Sequence, residues 1–435
     1  MDVLLAREER VRRQQELLKI FGMPLVCFTM NIPGPVKDTP LVRRSFRWGL
    51  EQLEGRLSGV KHREVTEDFT GCEAFFAVEG DPGEIKGICT KIEEETPLGR
   101  LFDLDVLTLS GEKLERKSPR SCIVCGTPGR GCASRRLHSL EQLTGAVEEI
   151  MVNHFIEEDG IALAGLAVES LLREVHTTPK PGLVDDRNTG SHSDMDVAAF
   201  TASAEALRPY FRQCFLLGRK MPREELFSAL RRAGMEAEQD MYRATGGVNT
   251  HKGAIFTLGL LCGSLGRVWT PEGVFELDKI LQECAFLGEC CIKEDFGALA
   301  VPATAGERLY KTSGITGIRG EAAAGLPSVK TIGLPVLRQL LAEGSGENDA
   351  AAITLLHLIA QVEDTNLYHR GGKEGAAWAK KEAARLLPRP SMAQIEELDD
   401  AFIARNLSPG GCADLLALTL FVHSLQKLEG DRNEK

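Results

Sequence analysis

The stretch Gly99-Arg100-Leu101-Phe102-Asp103-Leu104-Asp105-Val106 sets two carboxylates two positions apart among strand-forming residues. Side chains alternate along a strand, so Asp103 and Asp105 are expected on one face. Two convergent carboxylates suit Mg2+, an oxygen-seeking cation that fills its shell with substrate phosphates. Phosphoryl or nucleotidyl transfer is the chemistry such a pair supports, and the plain alternative is a solvated strand face. Further on, Cys122, Cys125, Cys132 and His138 have the spacing C-x2-C-x6-C-x5-H. Three thiolates and an imidazole can complete a tetrahedral zinc site, or the cysteines are free thiols in a loop. Basic residues flank both features: Lys37, Arg43, Arg44 and Arg47 before them, then Arg116, Lys117, Arg120, Arg135 and Arg136. Guanidinium forks match phosphates, so a few of these are expected on an anionic ligand and the rest in solvent.

A second group of polar residues gathers at helix junctions later in the chain. Pro179-Lys180-Pro181-Gly182-Leu183-Val184-Asp185-Asp186 is followed by Gly190-Ser191-His192-Ser193-Asp194-Met195-Asp196. Asp194 is placed to cap the next helix, but four aspartates and a histidine exceed what one cap requires. Asn249-Thr250-His251-Lys252-Gly253 lies at a helix start, where exposed amides favour anions. Gly314–Glu321, with Arg319, is Gly-rich yet lacks Walker and Rossmann spacing, so by itself it reads as a flexible loop. Glu363-Asp364-Thr365-Asn366 and His369-Arg370-Gly371-Gly372 trail an apolar helix, and Ser408–Asp414 opens the last one. Each alone is a polar helix junction. Together they suggest one polar cavity built from helix ends.

The elements around these residues differ between the two parts. Early on, Val3–Phe21 is helical and stops at Gly22, while Pro24–Ile32 reads as a buried strand before Pro33-Gly34-Pro35. Leu41–Leu57 and Pro82–Glu95 have helical spacing, and Glu73–Val78 and Leu101–Leu109 are strand-like. Arg116–His138 is irregular. From about residue 160, apolar periodicity is helical over Ile161–Val175, Val197–Leu217, Glu224–Tyr242, Gly253–Leu265, Val274–Cys291 and Ile353–Gln361. The expected fold is therefore an N-terminal α/β domain over 1–155 and a C-terminal all-α domain over 160–430, with no Pro/Gly/Ser linker between them.

Composition limits the rest. A chain of 435 residues with 43% hydrophobic and 26% charged residues is globular and multi-domain. Its apolar stretches fall short of the roughly 20 residues of a membrane span, and its N-terminus has no apolar signal-peptide core. Twelve scattered cysteines fit a reducing compartment, so a cytoplasmic protein is expected. A net charge of −11 argues against broad nucleic-acid binding.

IPGPVK (Ile32–Lys37), GRLFDLDV (Gly99–Val106) and CIVCG…C…RRLHS (Cys122–Ser139) together resemble the citrate lyase holo-acyl-carrier-protein synthase family. That resemblance implies a nucleotidyltransferase-like domain, with Asp103 and Asp105 holding Mg2+ and Lys37 and Arg100 contacting substrate. HTTPKPGLVD, GSHSDMD, NTHKG, GIRGE, DTNLYHRGG and SPGGCADLLA, spread over Ile161–Leu428, are similar to the triphosphoribosyl-dephospho-CoA synthase family. Asp186 and Cys412 depart from that pattern, where a basic and a small hydroxyl residue are usual. The pair of resemblances implies a bifunctional enzyme. It would join ATP to 3′-dephospho-CoA with loss of adenine, then load phosphoribosyl-dephospho-CoA onto a serine of the citrate lyase acyl-carrier subunit with loss of pyrophosphate. Lys180, Lys252 and Arg319 are the implied phosphate contacts, and Asp185, Asp194 and Asp364 the metal, base or oxocarbenium-stabilising residues. His251 or His369 is the implied acid. His192, Asn249, Glu321, Asn366, Arg370 and Asp414 complete the substrate-binding set. Alternatives are the same chemistry serving malonate decarboxylase, or a non-catalytic module that clamps an acyl-carrier protein.

Overall fold

The computed structural model describes residues 3–116, 120–127, 132, 135–296 and 314–434; Lys117 lies outside them. The chain divides into two compact units, with the boundary between Glu158 and Asp159. That boundary falls inside a helix, α4 (Leu140–His176), which is why the sequence shows no linker there.

The first unit contains α1 (Val3–Phe21), β1 (Leu25–Met30), α2 (Pro40–Arg56), β2 (Val60–Asp68), β3 (Gly71–Val78), α3 (Pro82–Glu95) and β4 (Phe102–Leu107). The four strands form one antiparallel sheet in the order β2-β3-β1-β4. On one face Phe28 stacks on Phe46 of α2 at 4.6 Å and meets Phe102 edge-on at 5.1 Å. On the other, Leu17 of α1 packs with Leu25, Cys27, Phe75, Ala77 and Leu107. Strand β2 is not legible in the sequence, because VKHREVTED puts charge on both faces of an edge strand that stays largely half-buried or exposed. Its pairing with β3 is what makes it a strand.

Strand β4 is the opposite edge. Phe102, Leu104 and Val106 turn into the core, which leaves Asp103 and Asp105 on the other face. A 3-10 turn over Leu98–Leu101 delivers the chain into β4. Gly99 approaches α3 so closely that a Cβ there would collide with Ile92 O and lie 3.0 Å from the Glu93 carbonyl carbon.

The second unit is helical among its described residues. It takes the rest of α4, then α5 (Val197–Ala206), α6 (Arg208–Lys220), α7 (Arg223–Ala244), α8 (Lys252–Val268), α9 (Leu277–Phe296) and α10 (Gly317–Ala323). It ends with α11 (Leu334–Ala342), α12 (Glu347–Gln361), α13 (Thr365–Leu386), α14 (Met392–Ala404) and α15 (Gly410–Glu434). Helix α8 is buried almost continuously from Ala254 to Gly266. The periodicity expected over Val197–Leu217 breaks at Leu207, because Pro209 lacks the N–H needed to continue α5. Gly317–Glu321, expected as a loop, lies in α10, and Asp364, which follows α12 as expected, also caps α13. No helix among the described residues is long and apolar enough to cross a membrane.

Gly99→Ala should therefore destabilise the first unit by about 1–3 kcal/mol, because a backbone carbonyl blocks the new methyl. Urea denaturation followed by circular dichroism checks this, and an unchanged midpoint would remove the close approach as a constraint.

Candidate functional site

Each unit holds a site. In the first, a cleft of about 1350 Å³ is lined by Asp103, Asp105, Lys113, Arg100, Arg116 and Arg120, among others. Asp105 pairs with Lys113 at 2.5 Å. Burial opposes the Lys113 charge, but the Asp105 hydrogen bond and charge outweigh it and raise the lysine pKa. Arg100 donates to Ser121 O, and burial together with Arg120 and Arg116 lowers its pKa. Two residues that no sequence motif singles out complete the wall. Buried Lys86 donates to Leu104 O at 2.7 Å, and buried Glu93 accepts from Leu104 N at 2.8 Å. They clamp the peptide between the two aspartates. Glu93 also pairs with Arg116 and Arg120, yet burial still raises its pKa. Both were hidden in the ordinary amphipathic pattern of α3.

Several basic residues near these motifs are already engaged. Arg43 is bound to Asp38, Arg47 to Glu67, and Arg44 lies over the Phe155 ring at 3.9 Å. Lys37 donates to Ile32 O, and burial lowers its pKa.

In the second unit, the segment between α4 and α5 is shaped by carboxylates bound to its own backbone. Asp185 accepts from Lys180 N at 2.8 Å, Arg187 N at 2.8 Å and Asn188 N at 3.0 Å. Asp399 of α14, fully buried, accepts from Gly182 N at 2.8 Å, Arg187 Nη1 at 2.6 Å and Asn188 Nδ2 at 2.8 Å. Asp196, not Asp194, caps α5, and Asp194 is exposed. His192 bridges Ser408 Oγ at 2.9 Å and Arg370 at 3.1 Å, and burial followed by the Arg370 charge lowers its pKa.

Deeper in this unit, Lys180 Nζ bonds Glu174 Oε1 at 2.6 Å and Glu174 O at 2.7 Å. Asp364 caps α13 through Asn366 N at 2.7 Å and Leu367 N at 3.2 Å, and its other oxygen accepts from Cys412 N at 2.8 Å. Burial raises its pKa despite these amides. Asp414 packs on the backbone of Gly253. Desolvation, then the charges of Glu174 and Asp364, raise its pKa well above the ordinary carboxylate range. Glu174, Lys180, Asp364 and Asp414 thus form one charged cluster, with Glu174 absent from the sequence reading because it ends an apolar helix.

His251 adjoins Lys180 at the start of α8. Thr250 donates to Ser203 Oγ at 2.8 Å, and Ser203 Oγ shares a hydrogen bond with His251 Nδ1, also at 2.8 Å. His251 Nε2 is buried and has no hydrogen-bond partner among the described residues. Burial first, then Lys180, lowers the His251 pKa to about 3. His251 is therefore uncharged near neutral pH.

Beside this cluster a pocket of about 390 Å³ is walled mainly by apolar side chains, with Lys252, Arg319, Glu238, Gly253 and Thr365 among its lining. Lys252 pairs with Glu238 at 2.8 Å. Asn249 Oδ1 accepts from Lys252 N at 3.3 Å, and Asn366 lies against Gly410. Glu321 accepts from Ser328 N, which makes it a backbone clamp, and His369 is exposed.

Comparison with known proteins divides the chain in the same two places. Residues 1–154 match the family CitX, apo-citrate lyase phosphoribosyl-dephospho-CoA transferase. Residues 161–433 match CitG, ATP:dephospho-CoA triphosphoribosyl transferase. Protein CitXG of Haemophilus influenzae is 36% identical over 98% of this chain and 96% of its own length. The chain belongs to the CitXG family. It is a bifunctional transferase, with the acidic cleft inside the CitX match and the charged cluster inside the CitG match. Protein CitXG of Leuconostoc mesenteroides subsp. cremoris is 33% identical over 98% of this chain and 97% of its own. The 2-(5''-triphosphoribosyl)-3'-dephosphocoenzyme-A synthase of Haemophilus ducreyi is 38% identical over 69% of this chain and 99% of its own.

His251 generates a pH prediction. Its folded pKa of about 3 lies below the ordinary 6.5 of the unfolded chain, so between those values only the unfolded state takes up the proton. Stability should be lost as pH falls through that window. His251→Gln, which keeps an N–H donor, should flatten the loss by up to about 1.4 kcal/mol per pH unit. Urea unfolding of both proteins at about pH 4.5 and 6.5 tests this; equal slopes would contradict the buried neutral imidazole.

Proposed function

We propose that this CitXG-family chain both makes and attaches the citrate lyase prosthetic group, in the cytoplasm, with the helical unit acting first. The 2′-hydroxyl of 3′-dephospho-CoA bonds to C1 of the ATP ribose as the bond from C1 to adenine breaks, and the triphosphate stays attached. The hydroxyl loses a proton and the departing adenine gains one. The observation that carries the reading is an apolar pocket, with Lys252 and Arg319 in its wall, beside three acids and one buried lysine. An apolar wall suits a nucleoside base, and clustered carboxylates stabilise oxocarbenium charge at C1. Asp414 suits the acid that protonates adenine, because its surroundings favour its protonated form.

The α/β unit then acts as a nucleotidyltransferase-like domain. The hydroxyl of a serine on the apo acyl-carrier subunit attacks the α-phosphorus of the triphosphate, and pyrophosphate leaves. Asp103 and Asp105 share one strand face and one cleft, a donor set that fits Mg2+, which when bound would neutralise the triphosphate. Arg100, Arg116 and Arg120 supply the remaining positive charge, and Lys86 and Glu93 hold the strand in place.

The test is incubation with ATP, 3′-dephospho-CoA, Mg2+ and apo carrier subunit, reading adenine by chromatography and the carrier by mass spectrometry. Asp103→Asn and Asp105→Asn should each leave adenine release intact and cut carrier loading by about 100-fold or more. Asp414→Asn should abolish adenine release, and with it carrier loading from ATP, yet should still load carrier when ready-made triphosphoribosyl-dephospho-CoA is supplied. In the wild type, adenine release should fall as rising pH removes the Asp414 proton. Absence of adenine from the complete mixture would overturn the proposal.

A further inference from the structure

Residues that line the cleft of the first unit carry chemistry that neither transfer step uses. Cys122 and Cys125 sit at the ends of a turn, and the chain reverses at Gly126, whose φ of 71° is in the left-handed region. The reversal lets Gly126 N bond Cys122 O at 2.9 Å and Cys122 N bond Thr127 O at 2.6 Å. This knuckle presents both thiols to one side. Cys132 meets them there, with Cys125 Sγ and Cys132 Sγ 3.4 Å apart. His138 completes the group, and the ligand atoms of all four residues lie within 4.8 Å of one another. The His138 Nε2 atom is shielded from solvent and has no hydrogen-bond partner among the described residues.

We propose that Cys122, Cys125, Cys132 and His138 bind one zinc ion, which fixes the wall of the transfer cleft. Three sulfurs and one imidazole nitrogen are a closed tetrahedral donor set, with no position left open for a reacting water. The role is therefore structural. Binding releases the thiol protons and converts three soft sulfurs into thiolate ligands of a soft-accepting cation. The cost of gathering three sulfurs and an imidazole in a loop is then offset by four metal bonds. Arg120, Ser121 and Cys122 follow one another along the cleft, so a fixed knuckle also fixes the Arg120 contact with Glu93 and the Ser121 carbonyl that Arg100 reaches. The zinc is thus a positioning element for the cationic side of the cleft.

The competing chemistry for two sulfurs this close is a Cys125–Cys132 disulfide, and metal analysis separates the two. Full-length protein, purified without chelator and with a thiol reductant, should contain about one zinc per chain by elemental analysis. Titration with a mercurial should release that zinc as the site's thiols react. Cobalt substitution should give the visible d–d spectrum of a tetrahedral sulfur-rich site, a readout that does not depend on either activity. Cys125→Ser and Cys132→Ser should each reduce the bound zinc to about one-tenth or less, while Cys290→Ser, outside the site, should retain it. His138→Cys, which preserves a four-ligand set, should keep the metal and guards against misfolding of the serine variants. Wild-type protein without zinc, or with a Cys125–Cys132 disulfide by peptide mass spectrometry, would overturn the proposal. So would zinc retained at full stoichiometry in the serine variants.

Discussion

An edge strand exposes a row of N–H and C=O groups that no neighbouring strand satisfies, and β4 carries Asp103 and Asp105 on such an edge. At Leu104, between the two aspartates, the open N–H goes to Glu93 and the open C=O to Lys86. Both partners come from α3, two turns apart on one helix face. The edge is thereby finished without a fifth strand, and its polar side chains stay available to the cleft. Glu93 in turn gathers Arg116 and Arg120, so one buried carboxylate organises both the acidic strand and the basic wall that faces it. A buried carboxylate without such partners would cost several kcal/mol, which is why removing any of them would disturb the whole cleft.

The helical unit uses the same device repeatedly. Asp185, Asp364 and Asp399 bind backbone amides across turns and helix starts, and they determine where the motif segments lie. Asp364 joins the start of α13 to the start of α15, and so sets Asp414 near Glu174 and the N-terminus of α8. The carboxylates therefore fall into two kinds. Some shape the backbone, while Asp414 and Glu174, crowded against each other, carry electrostatic tension that a cationic ligand or a reaction centre would relieve.

Much of this was legible in the residues. The apolar periodicities of α1, α3, α7 and α8, and the strands at Phe28, Phe75 and Leu104, stand out because one face of each must be buried. The motif segments at His176, Asn249, Asp364 and Ser408 stand out because polar residues and glycines concentrate where helices meet. Strand β2 did not stand out, since an edge strand with charge on both faces has no period to read. Nor did Lys86, Glu93 and Glu174, whose hydrogen-bond partners lie 6 to 27 residues away.

By itself, the sequence determined the local chemistry: which residue types recur at helix ends, that Asp103 and Asp105 share a face, and that three cysteines and a histidine fall within one short segment. Those follow from the fixed periods of strand and helix and from donor chemistry, which need no knowledge of the rest of the chain. Only the tertiary structure decided roles. It made Asp185 and Glu321 clamps on backbone amides, put Asp194 and His369 at the surface, and buried His251 as a neutral imidazole. Protonation state and hydrogen-bond commitment depend on burial and on partners distant in sequence, and those exist only once the chain has folded.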